Sequence, residues 1–303
     1  MSDAPAVSLP PPVAPAALAE PAERGGVTGR RTARLALAGL GFVVLLVVIA
    51  LAAPWLAPQD PTRQSLRGRL ARPTLEGPDG RARLLGTDQL GRDVLSRVIY
   101  GARVSLTVGL SAVVIGILVG ATLGIAAGFR RGMTDTVIMT LADAQLAFPF
   151  ILLAIGIIAV LGPSFPTLVI VVGLSGWVSY ARILRAQVIV LRSREFVEAI
   201  HALGGSVARI VLRHVLPNVL STLVVIATLE LARAIVLEAT LSFLGIGLPP
   251  STVSWGGDIS KAQTSLRSAP HVLLYPSVAL SITVLAFMLL GDAVRDALDP
   301  KLR

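Results

Sequence analysis

Three long uncharged runs constrain what this chain can fold into. They cover Val104–Phe129, Ala144–Ala181 and Ser268–Gly291, and they are 26, 38 and 24 residues long. A helix needs about 20 apolar residues to cross the hydrocarbon core of a bilayer. The runs therefore predict four membrane spans, because the sequence GPSFP at 162–166 divides the longest run into two.

Two more spans are predicted outside these runs. Leu35–Ala53 holds 19 uncharged residues after Arg34, and another apolar segment follows Pro217. A secretory signal peptide is the competing interpretation of the first, since Ala50–Ala53 offers small residues for cleavage. Its apolar core exceeds the roughly 7–15 residues of such signals, which favours a retained span. We expect an all-α polytopic membrane protein with six transmembrane helices.

Composition supports this class. Mean hydropathy is +0.77, and 54% of the residues are hydrophobic against 15% charged, far from the balance of a soluble domain. The net charge of +9 comes almost wholly from arginine, because Lys261 and Lys301 are the only lysines. In a membrane protein such charge marks cytoplasmic loops and lipid headgroups, so we expect no nucleic-acid partner. The absence of cysteine excludes disulfides and thiolate metal sites.

The rest of the chain divides around the spans. We predict a disordered cytoplasmic tail rich in proline and alanine, a first transmembrane helix, an extracytoplasmic loop, a five-helix core that includes a polar loop, and a cytoplasmic C-terminal tail. These parts cover residues 1–31, 32–54, 55–103, 104–292 with the polar loop at 192–218, and 293–303.

The loop at 55–103 has two predicted features. Arginine and serine among the apolar residues of 94–103 predict an amphipathic segment that lies on the membrane surface. Thr87-Asp88 and Gly91-Arg92-Asp93 predict a turn with Asp–Arg pairing. The turn is either a solvated cap or a contact surface for a partner.

Six spans place both termini on one side of the membrane. If that side is the cytoplasm, the cytoplasmic segments hold 15 Lys and Arg, and the external segments hold 11. The positive-inside rule is therefore satisfied only weakly. All of the conflict comes from the nine arginines of 55–103.

The second span carries small residues at strict four-residue intervals. Such spacing places them on one helical face, where another helix backbone can approach closely. The stripe therefore predicts helix packing, not a substrate site, and consists of Ala112, Gly116, Gly120, Gly124 and Gly128.

Ionisable residues inside the spans are candidates for a translocation path or for an interface with another membrane subunit. They are costly in the bilayer unless they face protein or water. Asp143 lies near the end of the third span, where it could equally reach the interface, and Pro149 should kink that span. In the fifth span, Glu230 and Arg233 are one turn apart and can pair, and Glu238 follows them.

A polar stretch, Arg192–Asn218, interrupts the apolar sequence between the fourth and fifth spans. Ser193 stands where an N-cap would, and acidic residues at 195 and 198 suit the first turns of a short helix. Gly204-Gly205 should end that helix, and a second helical run should begin at Ser206. The pattern predicts a water-facing docking element held between membrane segments.

Four stretches in order resemble the permeases of bacterial ABC importers, most closely the second permease of the dipeptide, oligopeptide and nickel class. They are GTDQLGRDVLSRVIYGARVSL, EFVEAIHALGGSVARIVLRHVLPN, LEATLSFLGIGLPP and LLGDAVRDALDPKLR, at 86–106, 195–218, 237–250 and 289–303. The resemblance covers roughly Leu35–Arg303.

The family's EAA loop is matched in its frame but not at every position. Ile200 replaces the second alanine, and His214 occupies an isoleucine position. The Ile200 change bears on packing against the ATPase. The matching residues are Glu198, Ala199, Gly204, Leu216 and Pro217.

The resemblance implies a cytoplasmic coupling helix between spans 4 and 5 that sits in a groove of an ATPase. It also implies three kinds of partner: a second permease, two cytoplasmic ATPases that bind ATP and magnesium, and an extracytoplasmic binding protein. The chain itself is expected in a bacterial cell membrane, with both of its termini in the cytoplasm. Peptides are the expected cargo, and nickel chelates or other small solutes remain alternatives. Besides the matching residues, the expected coupling contacts include Glu195, Ala202 and Leu203.

The chain itself is not expected to be an enzyme or to bind a cofactor. A P-loop needs glycines before a lysine and Ser or Thr after it, and neither lysine has them. His201, His214 and His271 lie in separate segments, which does not favour a metal site. A secondary transporter that needs no ATPase is the main alternative, and an enzyme built on Asp143, Glu230 and Glu238 is the weaker one.

Overall fold

The computed structural model describes residues 27–76, 80 and 82–298. In that part, helices dominate, and the only β-pairing consists of two isolated bridges, Thr74 with Arg83 and Thr87 with Asp93. The helices are α1 (Val27–Leu51), α2 (Ala53–Leu56), α3 (Val94–Arg130), α4 (Gly132–Ala147), α5 (Phe150–Leu161), α6 (Phe165–Arg192), α7 (Glu195–Ala202), α8 (Val207–Ile210), α9 (Leu216–Phe243), α10 (Trp255–Ala262) and α11 (His271–Leu298), with 3₁₀ turns at Leu66–Gly68 and Gln263–Ser265 and a π-helical turn at Val211–Val215.

Four stretches are long and apolar enough to cross a membrane: α3, α6, the continuous run Val207–Phe243, and α11. The pair α4 and α5 makes a fifth if it counts as one broken span. The apolar part of α1, Leu37–Leu51, is shorter. The chain is thus an all-α, multi-pass membrane protein, and the predicted number of six spans remains a prediction.

The predicted kink at Pro149 is a sharp bend. The two helices α4 and α5 meet at an angle of 93°. Phe148, which precedes the proline, is extended, with φ −99° and ψ 139°. A residue before proline is disfavoured in the helical region, because the proline Cδ meets its backbone. The third span is therefore two helices and not one kinked helix.

Several predicted boundaries differ from the structure. Residues 27–31, assigned to the tail, belong to α1, while residues 1–26 and 299–303 lie outside the described part. Helix α11 continues to Leu298, past the predicted boundary at 293. It also runs through Pro276. This proline is only six residues into the helix, so a single backbone hydrogen bond near the start is lost.

The predicted surface segment at 94–103 is wrong. These residues are the first turns of α3, which Asp93 caps by accepting a hydrogen bond from the Ser96 amide at 2.8 Å. Ser96 and Arg97 are buried, not surface-exposed. The sequence suggested an amphipathic helix because their partners lie in distant segments of the chain.

Helix α3 lies at the centre of the fold. It packs along α6 over most of its length and also contacts α1, α4 and α9, while α11 packs against α1 and α9. One apolar cluster joins α3, α6, α7 and α9 at the α7 end of the bundle. A second joins α3, α5, α6 and α9. These clusters fix where the polar segment between α6 and α9 lies.

Candidate functional site

Helix α7 is a short, well-defined helix between two long ones. Its C-terminus has the hydrogen bond of a Schellman motif, in which the Gly205 amide donates to the Ile200 carbonyl at 2.9 Å. Gly204 has φ +80°, which glycine adopts without strain. Ser193 does not cap α7. Its hydroxyl bonds to the Val190 carbonyl at 3.0 Å and so belongs to the end of α6.

Two side chains hold α7 against the bundle. Val197 is buried in the cluster formed with Tyr180, Leu184 and other residues, and Ile200 packs against the same cluster. A Cβ added at Gly205 would lie 2.6 Å from the Ile200 Cγ2, so the turn and Ile200 fit each other closely. Ile200, one of the two positions that depart from the family pattern, therefore faces the interior of this chain.

The other face of α7 is exposed. Leu203 is 87% exposed and Phe196 is 42% exposed, which is unusual for large apolar side chains at a polar loop. The two large apolar side chains are accompanied by exposed carboxylates and alanines, namely Glu195, Glu198, Ala199 and Ala202. A small apolar patch rimmed by carboxylates is the composition of a protein-contact surface.

The chain returns to the bundle through an irregular helix. Ser206 caps α8 by accepting from the Arg209 amide at 3.4 Å, so the second helical run begins next to the residue predicted to start it. The wider π-helical turn then precedes Pro217, whose ring would clash with the carbonyl of a regular α-turn. Leu216 is half-buried and Pro217 is exposed. The Asn218 side chain donates to the His214 carbonyl at 2.6 Å.

Arginines tie the α7 end of α6 to neighbouring helices. The Arg192 guanidinium donates to the Phe129 carbonyl and lies 5.5 Å from the centroid of the Phe129 ring. Arg185 pairs with Asp135 of α4, with Nη2 2.6 Å from Oδ2. These contacts make α6 a firm support for α7.

Close to the α7 end of α6, an apolar groove opens between α3 and the start of α9. Its volume is about 830 Å³, and α3 contributes residues such as Ile117 and Ile125, whereas Val211 and Leu216 line the other wall. At this end, helices α3 and α9 therefore meet through the apolar cluster that they share with α6 and α7, and the groove opens beside it.

In contrast, α3 and α6 are in contact through the glycine stripe. A Cβ added at Gly124 would lie 2.5 Å from the Ala181 carbonyl oxygen, and one at Gly128 would lie 2.8 Å from the Arg185 carbonyl oxygen. Added Cβ atoms at Gly116 and Gly120 would meet Tyr180. Ala112 is buried on the same face.

The pair Glu230–Arg233 lies on α9. The Arg233 Nη1 is 3.3 Å from the Glu230 Oε1, and the two side chains are 51% and 14% exposed, respectively. Nearby, the Tyr180 hydroxyl is buried and has no hydrogen-bond partner among the described residues. Of this pair, the Arg233 guanidinium is the exposed partner and Glu230 is largely enclosed. A charge exposed within an apolar helix requires protein or water to face it.

Asp143 forms an ion pair with Arg182 of α6, and both side chains are largely exposed, at 67% and 46%. The pair stands on the surface of this chain.

Glu238 lies elsewhere, in the interior. It is fully buried, and it accepts hydrogen bonds from the Ser105 hydroxyl at 3.0 Å and from the Ser242 hydroxyl at 2.9 Å. This position is at odds with the prediction that Glu238 lines a path or meets a second permease. The spacing of charges along one helix could not show that two serines would enclose it.

A buried charge cluster at the other end of the bundle was not among the sites predicted from the sequence. Arg97 donates from Nε to both Asp258 oxygens at 3.1 Å and from Nη1 to the Pro61 carbonyl at 2.9 Å. Burial raises the pKa of Asp258, which the Arg97 charge opposes, and burial lowers the pKa of Lys261. The predicted pairing of Asp88 with Arg92 is present at 2.6 Å, but it is buried and not solvated.

Comparison with known proteins identifies the family of this chain. Residues 120–303 match the model of a family described as the binding-protein-dependent transport system inner membrane component. Residues 31–73 match the N-terminal transmembrane domain of oligopeptide transport permease C.

Two relatives show how far the likeness extends. The di/tripeptide transport system permease protein DppC of Pseudomonas aeruginosa is 45% identical over 270 residues, which is 88% of each chain. The glutathione transport system permease protein GsiD of Pectobacterium atrosepticum is 41% identical over 266 residues, covering 88% of this chain and 86% of its own.

The fold defines a multi-pass membrane protein with a short, partly exposed helix between two of its apolar, span-length helices. The chain belongs to the family of inner membrane components of binding-protein-dependent transport systems, the permeases of ABC importers.

Proposed function

We propose that the chain carries small peptides across the bacterial cell membrane, as one of two permeases in a complex with two cytoplasmic ATPases and an extracytoplasmic binding protein. The observation that carries this proposal is α7, a short helix that is exposed on one face and anchored on the other. A helix that is anchored on one face and exposed on the other can transmit a displacement when a partner protein binds to its exposed face.

The geometry supports transmission of force. Helix α7 is joined to α6 by two residues and to α8 by four, and its inner face packs on the core. A displacement of α7 is therefore passed to α6 and α9 and not absorbed by a flexible linker. ATP-driven closure of the partner ATPases would tilt these helices and open the path alternately to each side. The groove beside α9 provides space for such a movement.

The partners and orientation are inferred from the same features. We infer six spans with both termini in the cytoplasm, α7 on the cytoplasmic side, and ATP with magnesium bound by the ATPases. The exposed pair Glu230–Arg233 and the pair Asp143–Arg182 then face the second permease or the water-filled path, because lipid would not solvate them.

Peptide cargo is proposed because the two relatives are named for di/tripeptides and for glutathione, which is itself a peptide. Nickel chelates and other small solutes are the alternative cargo. Transport without an ATPase is the alternative mechanism.

Gly204→Leu tests the coupling role. Leucine at φ +80° is strained by roughly 1–2 kcal/mol, so the turn that shapes the end of α7 should be lost. Gly162→Leu is the matched control, because Gly162 also has φ +80° and open space around its Cβ position. In cells that express the complete transporter, we expect Gly204→Leu to insert and assemble but to abolish uptake of a labelled dipeptide, whereas Gly162→Leu retains uptake.

Normal uptake by Gly204→Leu would refute the coupling role. Uptake by the purified chain alone in vesicles, without any ATPase, would refute the importer mechanism as a whole.

A further inference from the structure

The apolar groove between α3 and the start of α9 lies at membrane depth. Its α3 wall extends from Ile117 to Arg130, and its other wall begins at Val207 and ends at Leu223. The uncharged run of α3 ends at Phe129, so nearly all of the first wall stands at the level of lipid hydrocarbon. The wall is about 20 Å long, whereas half of the hydrocarbon core is about 15 Å thick. The groove therefore extends through the leaflet on the α7 side.

The lining of the groove offers almost nothing to water or to a polar cargo. Among the described residues that line it, only Thr122 and Arg130 carry polar side chains. The Thr122 hydroxyl already donates to the Leu118 carbonyl of its own helix at 2.6 Å. Water along such a surface would lose hydrogen bonds without replacement. We therefore expect the groove to be filled by an apolar group.

The size of the groove favours an acyl chain over a protein helix. A volume of about 830 Å³ spread over about 20 Å gives a mean cross-section of about 40 Å². A helix with its side chains is about 10–12 Å across, which corresponds to a cross-section of roughly 80–110 Å². The groove is thus too narrow for a helix of another membrane subunit. A hydrocarbon chain is only one carbon wide and can lie along it.

The groove also faces away from the polar residues of the bundle. Gly120 and Gly124 of α3 face α6, and Thr122 lies about 160° around the helix from both of them. The polar groups that require protein or water lie beside α6 instead. Arg182 of α6 pairs with its acidic partner on α4, and the Glu230 Oε2 is 3.1 Å from the Cβ position of Gly176. The groove therefore opens on a side where lipid is the expected neighbour.

Positive charge stands at the α7 end of the groove. Arg130 lines the groove where the uncharged run of α3 ends, and Arg209 and Arg213 lie on the turns that form the other wall. All three are exposed, and within the described part of the chain they make no ion pair or side-chain hydrogen bond. Guanidinium groups at headgroup depth bind phosphate well, because their N–H donors match its oxygens.

We propose that the groove binds an anionic phospholipid of the leaflet on the α7 side, with an acyl chain along the groove and the phosphate at Arg130. Arg209 and Arg213 add positive potential at the same end. A zwitterionic lipid has the same chains but no net charge, so it should bind less tightly. An occupied groove cannot close, so the lipid would hold α9 in the position seen here. The proposal needs only a chain that spans the membrane and does not depend on the proposed function.

The test uses the natural membrane assembly, purified in detergent through an affinity tag on this chain. Phosphatidylglycerol with a photoreactive group at the end of one acyl chain is added, and the labelled peptides are identified by mass spectrometry after illumination. Phosphatidylcholine with the same chain is the comparison lipid. Labelling of 117–130 and 207–223 is divided by labelling of 37–51 in α1, which carries exposed apolar residues outside the groove. We expect this ratio to be about fivefold higher for phosphatidylglycerol.

Two pairs of variants separate the charge from the groove. Arg130→Gln should lower groove labelling by phosphatidylglycerol at least about threefold and leave that by phosphatidylcholine unchanged. Arg131→Gln is its control, since Arg131 is an exposed neighbour that does not line the groove. Thr122→Phe fills the groove and should reduce labelling by both lipids. Val114→Phe, at an exposed position of α3 outside the groove, should not.

Each other result would overturn the proposal. Equal labelling by the two lipids, or equal losses in Arg130→Gln and Arg131→Gln, would mean that the groove does not select an anionic headgroup. Unchanged labelling in Thr122→Phe would mean that the lipid lies elsewhere. If the groove peptides are not labelled and Thr122→Phe releases another membrane subunit, the groove is a protein interface and not a lipid site. Melting temperatures of the variants are measured alongside, because all four positions are exposed and should tolerate the changes.

Discussion

The two ends of α9 are built differently. The C-terminal end of α9 lies near α10 and the polar segment 59–76 and 82–93, and we call it the cap end. Directional polar contacts hold it there. Glu238 accepts from Ser105 of α3, and the Trp255 indole of the following helix α10 donates to the Val98 carbonyl at 2.9 Å. At the α7 end, α9 faces α3 across an apolar groove of about 830 Å³. The same helix is thus held by directional polar contacts at one end and by apolar contacts beside an open groove at the other.

This difference indicates where the molecule moves. A buried hydrogen bond or ion pair is satisfied in one geometry, and breaking it leaves a desolvated polar group unpaired. Apolar contacts are not directional, so an apolar groove can close without such a penalty. Helix α9 is expected to pivot about its cap end, while α3 and α6 stay together because their backbones meet at Gly124.

The largest effect is expected from breaking the fixed end with Asp258→Ala. The Arg97 guanidinium, which is 4% exposed, would keep only the Asp88 carboxylate, which is 3.9 Å away and already pairs with Arg92. Loss of its main partner should cost about 3–5 kcal/mol. Thermal unfolding in detergent should show a much lower midpoint. Glu76→Ala removes an exposed carboxylate from the polar segment beside that end and should leave the midpoint unchanged. A stable Asp258→Ala protein would mean that the cap end is not the fixed one.

A smaller loss, about 2–3 kcal/mol, is expected for Gly124→Ala. The new Cβ would lie 2.5 Å from the Ala181 carbonyl oxygen and 2.8 Å from its Cα, and neither backbone atom can move without separating α3 from α6. Gly156→Ala is the control, because open space surrounds that position. Equal melting temperatures for the two variants would show that α3 and α6 do not form a rigid pair.

Much of the framework could be predicted from the sequence, because its signals are local. Uncharged runs locate the spans, and Gly204-Gly205 ends α7 where the glycine pair predicted a break. The pattern of Glu198, Gly204 and Pro217 indicated the family, to which the chain belongs.

What could not be predicted depends on contacts between distant residues. Arg97 and Asp258 are 161 positions apart, and nothing near either residue indicates the other. Ser105 and Glu238 are likewise far apart in the chain, which is why Glu238 was expected at a path and lies in the interior. Arg97 was expected at the membrane surface for the same reason. An isolated arginine between apolar residues has the same pattern whether lipid headgroups or a buried carboxylate receives it.

The smallest effect concerns the α7 end, through Ile200→Ala, which restores the residue type of the family pattern. Ile200 is partly buried against the cluster that includes Val197, so we expect a loss of about 1–2 kcal/mol, below that of a fully buried isoleucine. Coupling should survive, because Ile200 faces inward: ATPase activity stimulated by binding protein should stay near that of the natural chain. Leu203→Ser gives the opposite pattern, since Leu203 is 87% exposed; its melting temperature should be unchanged and its stimulated ATPase activity reduced. If Ile200→Ala lowered coupling without lowering stability, Ile200 would face the ATPase, and the division of α7 into an inner and an outer face would have to be abandoned.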